Sequence, residues 1–219
     1  MFDYPKTAEL NRIVPKARLF AHSKPNSATR ERINSHVAEI LWRYKLSPET
    51  TNLKAAPELP EFQVFQLNLK PSPISDPQLR AILWTLDRAI PSPIFFEIRH
   101  DADTRFATAY KSPNSKITVK DYFNTPWLPV LSLPKLHPLP LLLTLQSLYE
   151  QIFRRHLPIE PRAGESLSDQ IQRAKQLQAT RAERDRLAKR LAVEPQFNRK
   201  LELNQKLRVV IATTQSLID

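Results

Sequence analysis

The hydrophobic pattern predicts an α+β fold: a small mixed β-sheet with flanking helices over residues 1–163, then a helical hairpin or coiled-coil extension over residues 166–219. Three observations carry this. The apolar period changes from helical to alternating at Glu61. Two extended runs, PIFFEIRH (93–100) and TRFATAYK (104–111), flank the polar turn Asp101-Ala102-Asp103. Beyond Gly164, in PIEPRAGES, the chain becomes charged and helix-prone.

The elements follow in order. A short helix is predicted over residues 7–14, stopping before Pro15. A longer one has Asn26 or Ser27 as N-cap and runs to about Leu46, with Ile33, Val37, Ile40, Leu41 and Tyr44 on one face. Ser47-Pro48 ends it. FQVFQLNLK (62–70) is apolar on both faces at first, as a strand in the middle of a sheet must be. Asp76-Pro77 then reads as N-cap and first helical residue, and Leu79, Ile82, Leu83, Leu86 and Ile90 form a core stripe closed by Pro91 and Pro93. A strand, a helix and the next strand favour a parallel crossover, whereas the hairpin around Asp101 is antiparallel, so the sheet is mixed.

A further short strand is expected around Tyr122 and Trp127. Pro140 is expected to start a helix whose Leu143, Leu145, Leu148, Tyr149, Ile152 and Phe153 cover one sheet face. In residues 167–192 a heptad reading puts Leu167, Ala174, Arg181 and Ala188 at a, and Gln170, Leu177, Arg184 and Leu191 at d. Only about half of these suit a coiled-coil seam. Pro195 is either the first residue of the final helix or a kink in one continuous helix. A hairpin is the preferred arrangement.

Composition narrows the chemistry. The chain has 219 residues, 41% of them apolar, enough for a real core. It has no cysteine, which excludes disulfides, thiol nucleophiles and thiolate metal sites. It has one glycine, where average usage would give about fifteen. P-loops, dinucleotide-binding loops and hydrolase nucleophile elbows all need several, so none is present. The N-terminal MFDYPKTAEL lacks the basic and apolar regions of a secretory signal. The longest apolar run, residues 128–148, is broken by Pro129, Pro134, Pro138 and Pro140, leaving less than the roughly 20 residues that span a bilayer. A cytoplasmic protein with no membrane association and no cofactor is expected.

The net charge is +11. Lys and Arg outnumber Asp and Glu by 10 to 6 in residues 1–60, 12 to 10 in residues 61–165 and 11 to 6 in residues 166–219. The ends are basic, which suits a polyanion or an acidic protein surface as well as a solvated face. Arg173, Lys175, Arg181, Arg184, Arg186, Lys189 and Arg190 are the candidate nucleic-acid contacts, set against Glu183 and Asp185. Trp42 to Lys45 also interleave aromatic and basic residues, but helical geometry would turn Tyr44 into the core and only Arg43 and Lys45 outward.

Glu97, His100, Asp101 and Asp103 are the one local cluster of metal-compatible or acid/base groups. Alternation along a strand splits them between faces, so a polar hairpin turn is the better reading. A Mg²⁺-dependent nuclease would need a carboxylate two residues before a strand lysine. The nearest match, Asn68-Leu69-Lys70, has a neutral residue there, and no catalytic residue is assigned.

The stretch EPQFNRKLELNQKLR (194–208) sets polar residues among apolar ones. Leu203, Leu207, Val210, Ile211, Thr214, Leu217 and Ile218 form one broad arc, with Phe197 and Leu201 at its edge. One neighbouring helix would not cover so wide an arc, so either this helix is clamped from two sides within its own domain or its second side belongs to a partner. Phe197, Asn198, Arg199, Lys200, Leu201 and Asn204 are therefore the candidate partner-binding residues: apolar area, a register-fixing Asn204, and cations for acidic groups or phosphates. Capping or bridging within the hairpin is the alternative for Asn198 and Asn204, and both stay open.

MFDYPKTAELNRIVPK at the start, HVAEILWRYKLSPETTNL, YFNTPWLP (122–129) and EPQFNRKLELNQKLR together resemble the bacterial domain of unknown function 4391 family, in the same order over nearly the whole chain. The resemblance implies an accessory role beside DNA methyltransferases and helicases of restriction-modification and anti-phage loci. It carries no catalytic residues. Three functions are thus expected to compete: a non-enzymatic subunit docking on a methyltransferase or helicase through the C-terminal helices, a basic nucleic-acid-binding module, and an unrecognised metal-dependent nuclease.

Overall fold

The computed structural model describes residues 2–111, 122–132, 137–140 and 142–218. It divides into two compact units, Met1–His156 and Leu157–Asp219. The first holds β1 (Phe2–Asp3), β2 (Glu9–Ile13), α1 (Lys16–Ser23), α2 (Ser27–His36), β3 (Val37–Leu46), α3 (Pro48–Thr51), β4 (Phe62–Leu69), α4 (Asp76–Ala89), β5 (Ile94–His100), β6 (Asp103–Ala109), β7 (Tyr122–Asn124), β8 (Leu128–Pro129), β9 (His137–Pro138) and α5 (Leu145–Arg154). The second holds α6 (Leu167–Val193) and α7 (Phe197–Ile218).

The main sheet runs β2-β3-β4-β5-β6-β7, with β8 also against β6. Only β4 and β5 are parallel, joined through α4; the other pairs are antiparallel, so the predicted mixed sheet is present. β1 and β9 form a separate parallel pair.

One sheet face packs Phe65, Leu67, Ile94, Phe96, Ile98 and Ala107 against Leu79, Ile82, Leu83 and Leu86 of α4, Leu19 of α1 and Ile33 of α2. The other packs Phe62 and Phe95 against Tyr149 and Phe153 of α5, with ring centroids 5.7–6.3 Å apart. Both faces of β4 are covered, as its uninterrupted apolar start requires. α4 begins one residue earlier than Asp76-Pro77 suggests: Ser75 is the N-cap, and Gln78 Oε1 accepts from its backbone N–H and its hydroxyl at 2.9 and 2.7 Å. α5 starts at Leu145, where the Thr144 hydroxyl accepts the Ser147 N–H at 3.1 Å; of the predicted earlier turns, Leu141 lies outside the described residues.

Two expected helices are corrected. Residues 9–13 form an edge strand, not part of a helix, and only Lys6–Ala8 make a helical turn. The second helix stops at His36 and the chain continues as β3. Register shifts between Val37 and Glu39 and between Trp42 and Tyr44 are the reason. Each bulge changes which face a residue takes, so the buried Val37 and Ile40 fall three apart and imitate a helical stripe. Asn26 is the N-cap as expected, its side chain accepting the Thr29 N–H at 2.9 Å. α1 is only eight residues long, too short for periodicity to mark it; Leu19 is its one buried aliphatic anchor.

A buried charged pair ties the end of α4 to Lys111, two residues beyond β6. Lys111 Nζ lies 2.9 Å from Asp87 Oδ1 and donates to the carbonyls of Ile90 (2.7 Å), Ser92 (2.9 Å) and Asp87 (3.1 Å). The Tyr122 hydroxyl donates to the other Asp87 carboxylate oxygen. Burial pushes the Asp87 carboxyl up and the Lys111 ammonium down, while their pairing opposes both shifts.

Asn11, Lys24, Asn52 and Asp101 adopt left-handed backbone at φ 47°, 44°, 56° and 52°, as does Gly164 at 72°. The division between the units falls at His156/Leu157, ahead of the expected boundary, because residues after it bond into the helical unit. Gln170 Nε2 donates to the Ile159 carbonyl (2.9 Å), and Arg162 Nη2 to that of Ser216 (2.7 Å).

Candidate functional site

α6 and α7 are separate helices, broken at residues 194–196, and pack together as the expected hairpin. Pro195 lies in the connection, and the Lys200 N–H returns to the Gln196 carbonyl at 2.9 Å, which starts α7. Along α7, Leu203 and Thr214 are buried and Leu207, Val210 and Leu217 half-buried, one stripe at a spacing of three or four. About 100° round the helix a second stripe is uncovered in the chain by itself: Phe197 is 78% exposed, Leu201 52%, Ile211 49% and Ile218 42%.

The polar candidates lie around the start of that stripe. Asn198, Arg199, Lys200 and Asn204 are all exposed, and none makes a side-chain hydrogen bond or ion pair with a described residue. Neither asparagine bridges the hairpin.

The basic residues of α6 are not equivalent. Arg173 is buried: its guanidinium pairs with Glu165 (2.7 Å) and donates to the carbonyls of Leu217 and Glu160, both at 2.7 Å. It is a clamp between the two helices and the preceding loop, and it is not presented to a polyanion. The hydrogen bonds from Arg173 hold the Glu165 carboxyl down to about 2. Arg184 pairs with Asp185 and Arg186 with Glu183, so each of these charges is offset locally by a carboxylate. Lys175, Lys189 and Arg190 are exposed and Arg181 half-buried; Arg181, Lys189 and Arg190 have no described partner.

The hairpin cluster is split as strand alternation demands. Glu97 lies buried on the sheet face opposite the α4-covered core, with Arg99 Nη2 2.7 Å away, whereas Asp101 is exposed in the turn. Glu97 belongs to a polar row across that face: Arg43 donates to Gln66 (2.7 Å), Gln66 to Asn68 (2.7 Å) and Asn68 to Glu39 (2.8 Å). Among the described residues no three His, Cys, Asp or Glu side chains are placed to hold a metal ion.

Trp42 and Tyr44 are on a strand, so the helical reading of that stretch is corrected. The bulge sends them to opposite faces: Trp42 stacks on Phe65 at 5.8 Å and 6°, and Tyr44 meets Tyr4 at 4.8 Å. Trp42 lines a cavity of about 370 Å³ together with Arg12 of β2 and Arg18 and His22 of α1. The sequence pattern does not bring these three residues together, because β2 reads there as helix and α1 carries no periodic signal. The strand pairing of Arg12 with Trp42 is the signal that would have brought them together.

No helix among the described residues is long and apolar enough to cross a membrane. No curated protein and no solved structure matches the chain. The family model described as Domain of unknown function (DUF4391) matches residues 2–213. With that match covering nearly its whole length, the chain belongs to the domain of unknown function 4391 family.

Proposed function

We propose that this chain is a non-catalytic accessory subunit of a bacterial restriction-modification or anti-phage defence system, docking onto a methyltransferase or helicase through its C-terminal helices. The observation that carries this is the second apolar stripe of α7, uncovered at Phe197, Leu201, Ile211 and Ile218, with the unpaired Asn204 within it, Lys200 at its edge and Arg199 in the same turn. Aromatic and aliphatic anchors with polar and cationic groups beside them suit the centre and rim of a protein interface. A buried Asn204 there would fix the register.

The test is co-purification of the tagged chain with the methyltransferase or helicase encoded beside it. Leu201→Asp should remove the partner while the chain stays folded, and Arg199→Glu should weaken association mainly at low salt, where a rim charge steers encounter. A complex that survives Leu201→Asp overturns the assignment of the surface.

The second reading, a basic nucleic-acid-binding module, draws on the net charge of +11 and on the unpaired Lys189 and Arg190. Salt-dependent DNA binding by the isolated chain, reduced by Lys189→Glu with Arg190→Glu, would favour it.

A further inference from the structure

We propose that the cavity between β2, α1 and α4 is a binding site for a planar ring carrying a phosphate, the size of a nucleoside monophosphate unit. Its volume, about 370 Å³, falls in the ~300–1,000 Å³ range of small-molecule sites.

The floor is aromatic and fixed in orientation. Arg12, Trp42 and Phe65 are successive cross-strand partners, so their side chains start from adjacent positions on the sheet. One face of the Trp42 indole lies on Phe65, and its Nε1–H donates to Gln63 Oε1 at 2.8 Å. An indole held in plane at a cavity wall is a stacking surface for a ring.

The charge of the lining is one-sided. Arg18 and His22 stand one turn apart on α1 and Arg12 lies on β2 in the same lining; none of the three side chains makes a hydrogen bond or ion pair with a described residue. The one carboxylate in the lining, Glu61, is already occupied: it accepts from Lys45 at 2.7 Å, Gln63 Nε2 at 2.8 Å and Ser92 Oγ at 2.9 Å. What remains for a ligand is two guanidiniums and an imidazole beside an aromatic floor. Guanidiniums bind phosphate through paired, charge-assisted hydrogen bonds, and a ring attached to that phosphate would lie on Trp42.

Such a unit reaches a protein either as a free nucleotide or as the phosphorylated end of a strand. Calorimetric titration of the full-length chain with adenosine 5′-monophosphate tests the shared chemistry, and a 5′-phosphorylated hexadeoxynucleotide distinguishes the sources. Saturable binding is expected, weakened about tenfold or more by Arg12→Glu and by Arg18→Glu and unchanged by Arg88→Glu, which lies outside the lining. Both substituted arginines are exposed, and an unchanged melting temperature verifies that the variants fold. Tighter binding of the oligonucleotide than of the nucleotide assigns the strand end; weaker binding assigns the free nucleotide. The proposal is overturned if nucleotide and oligonucleotide both fail to bind at millimolar concentration, if binding survives both glutamate variants, or if inorganic phosphate binds as tightly as the nucleotide.

Discussion

Replacing Lys111 with methionine keeps the length of the side chain and removes the ammonium that satisfies Asp87. Both side chains of the pair are almost fully enclosed, at 3% and 1% exposure. Removing one partner of a buried pair costs about 3–5 kcal/mol, because the remaining charge is stranded. Here the carbonyls of Ile90 and Ser92 lose their donor as well. In a chain of this size each kcal/mol moves the melting temperature by about 2–4 °C, so a loss of roughly 10 °C is expected. The variant should also acquire a pH signature. Asp87 is already raised by burial, and without Lys111 its folded value rises further above the unfolded one. The folded state then holds the proton more tightly, so stability is greatest below the unfolded carboxylate range and falls as pH climbs through the raised folded value. Thermal unfolding followed by circular dichroism at pH 5 and pH 8 reads both effects. Adding Asp87→Asn, which retains an acceptor for Tyr122, should recover much of the loss and abolish the pH difference. A Lys111→Met protein that melts within about 2 °C of the parent would refute the reasoning, since the pair would then be worth no more than a surface contact.

The two stripes of α7 should respond oppositely to one chemical change. Leu203→Asp, at a position 7% exposed, should cost several kcal/mol, whereas Leu201→Asp should cost only a few tenths; the two melting temperatures decide. Burial pushes the His156 imidazole down to about 4, so the folded state refuses a proton that the unfolded chain accepts. Stability should therefore fall by up to about 3 kcal/mol between pH 6.5 and pH 4, and His156→Phe should flatten that part of the urea-unfolding profile. Glu165, held down to about 2, contributes stability that is present above the ordinary carboxylate value and lost as pH falls towards 2; in Arg173→Met, hydrogen exchange at the end of α7 should lose that acid dependence.

The parts of the fold legible in the sequence are those where one physical signal acted alone. β4 is apolar on both faces and sits mid-sheet; the Asp101 turn joins two alternating runs; Asn26 and the Asp76-Pro77 pair mark helix starts to within a residue. The misreadings occur where two signals coincide. Bulges in β3 give Val37 and Ile40 a helical spacing, and in the exposed edge strand β2 the two apolar residues, Leu10 and Ile13, fall three apart and show no alternation. At the candidate surfaces, the width of the α7 arc was legible because it is local to one helix. The fate of Arg173 was not, since its acceptors on Glu160, Glu165 and Leu217 come from distant positions that no local pattern joins. The cavity beside Trp42 was hidden for the same reason.

Among the described residues, Asn11, Lys24, Asn52 and Asp101 take left-handed backbone despite carrying side chains, whereas Gly164 takes it without a steric penalty. At Lys24, where no short polar side chain can bond locally, that conformation costs on the order of 1 kcal/mol. The compensation lies outside the native structure. A polypeptide with a single glycine is a stiffer random coil, because every other residue is barred from much of the backbone space that glycine explores. Each glycine avoided at a compatible site is worth about 0.4–1 kcal/mol to the folded state. Part of what holds this molecule together is thus found in no native contact: it resides in the shapes that the unfolded chain is denied.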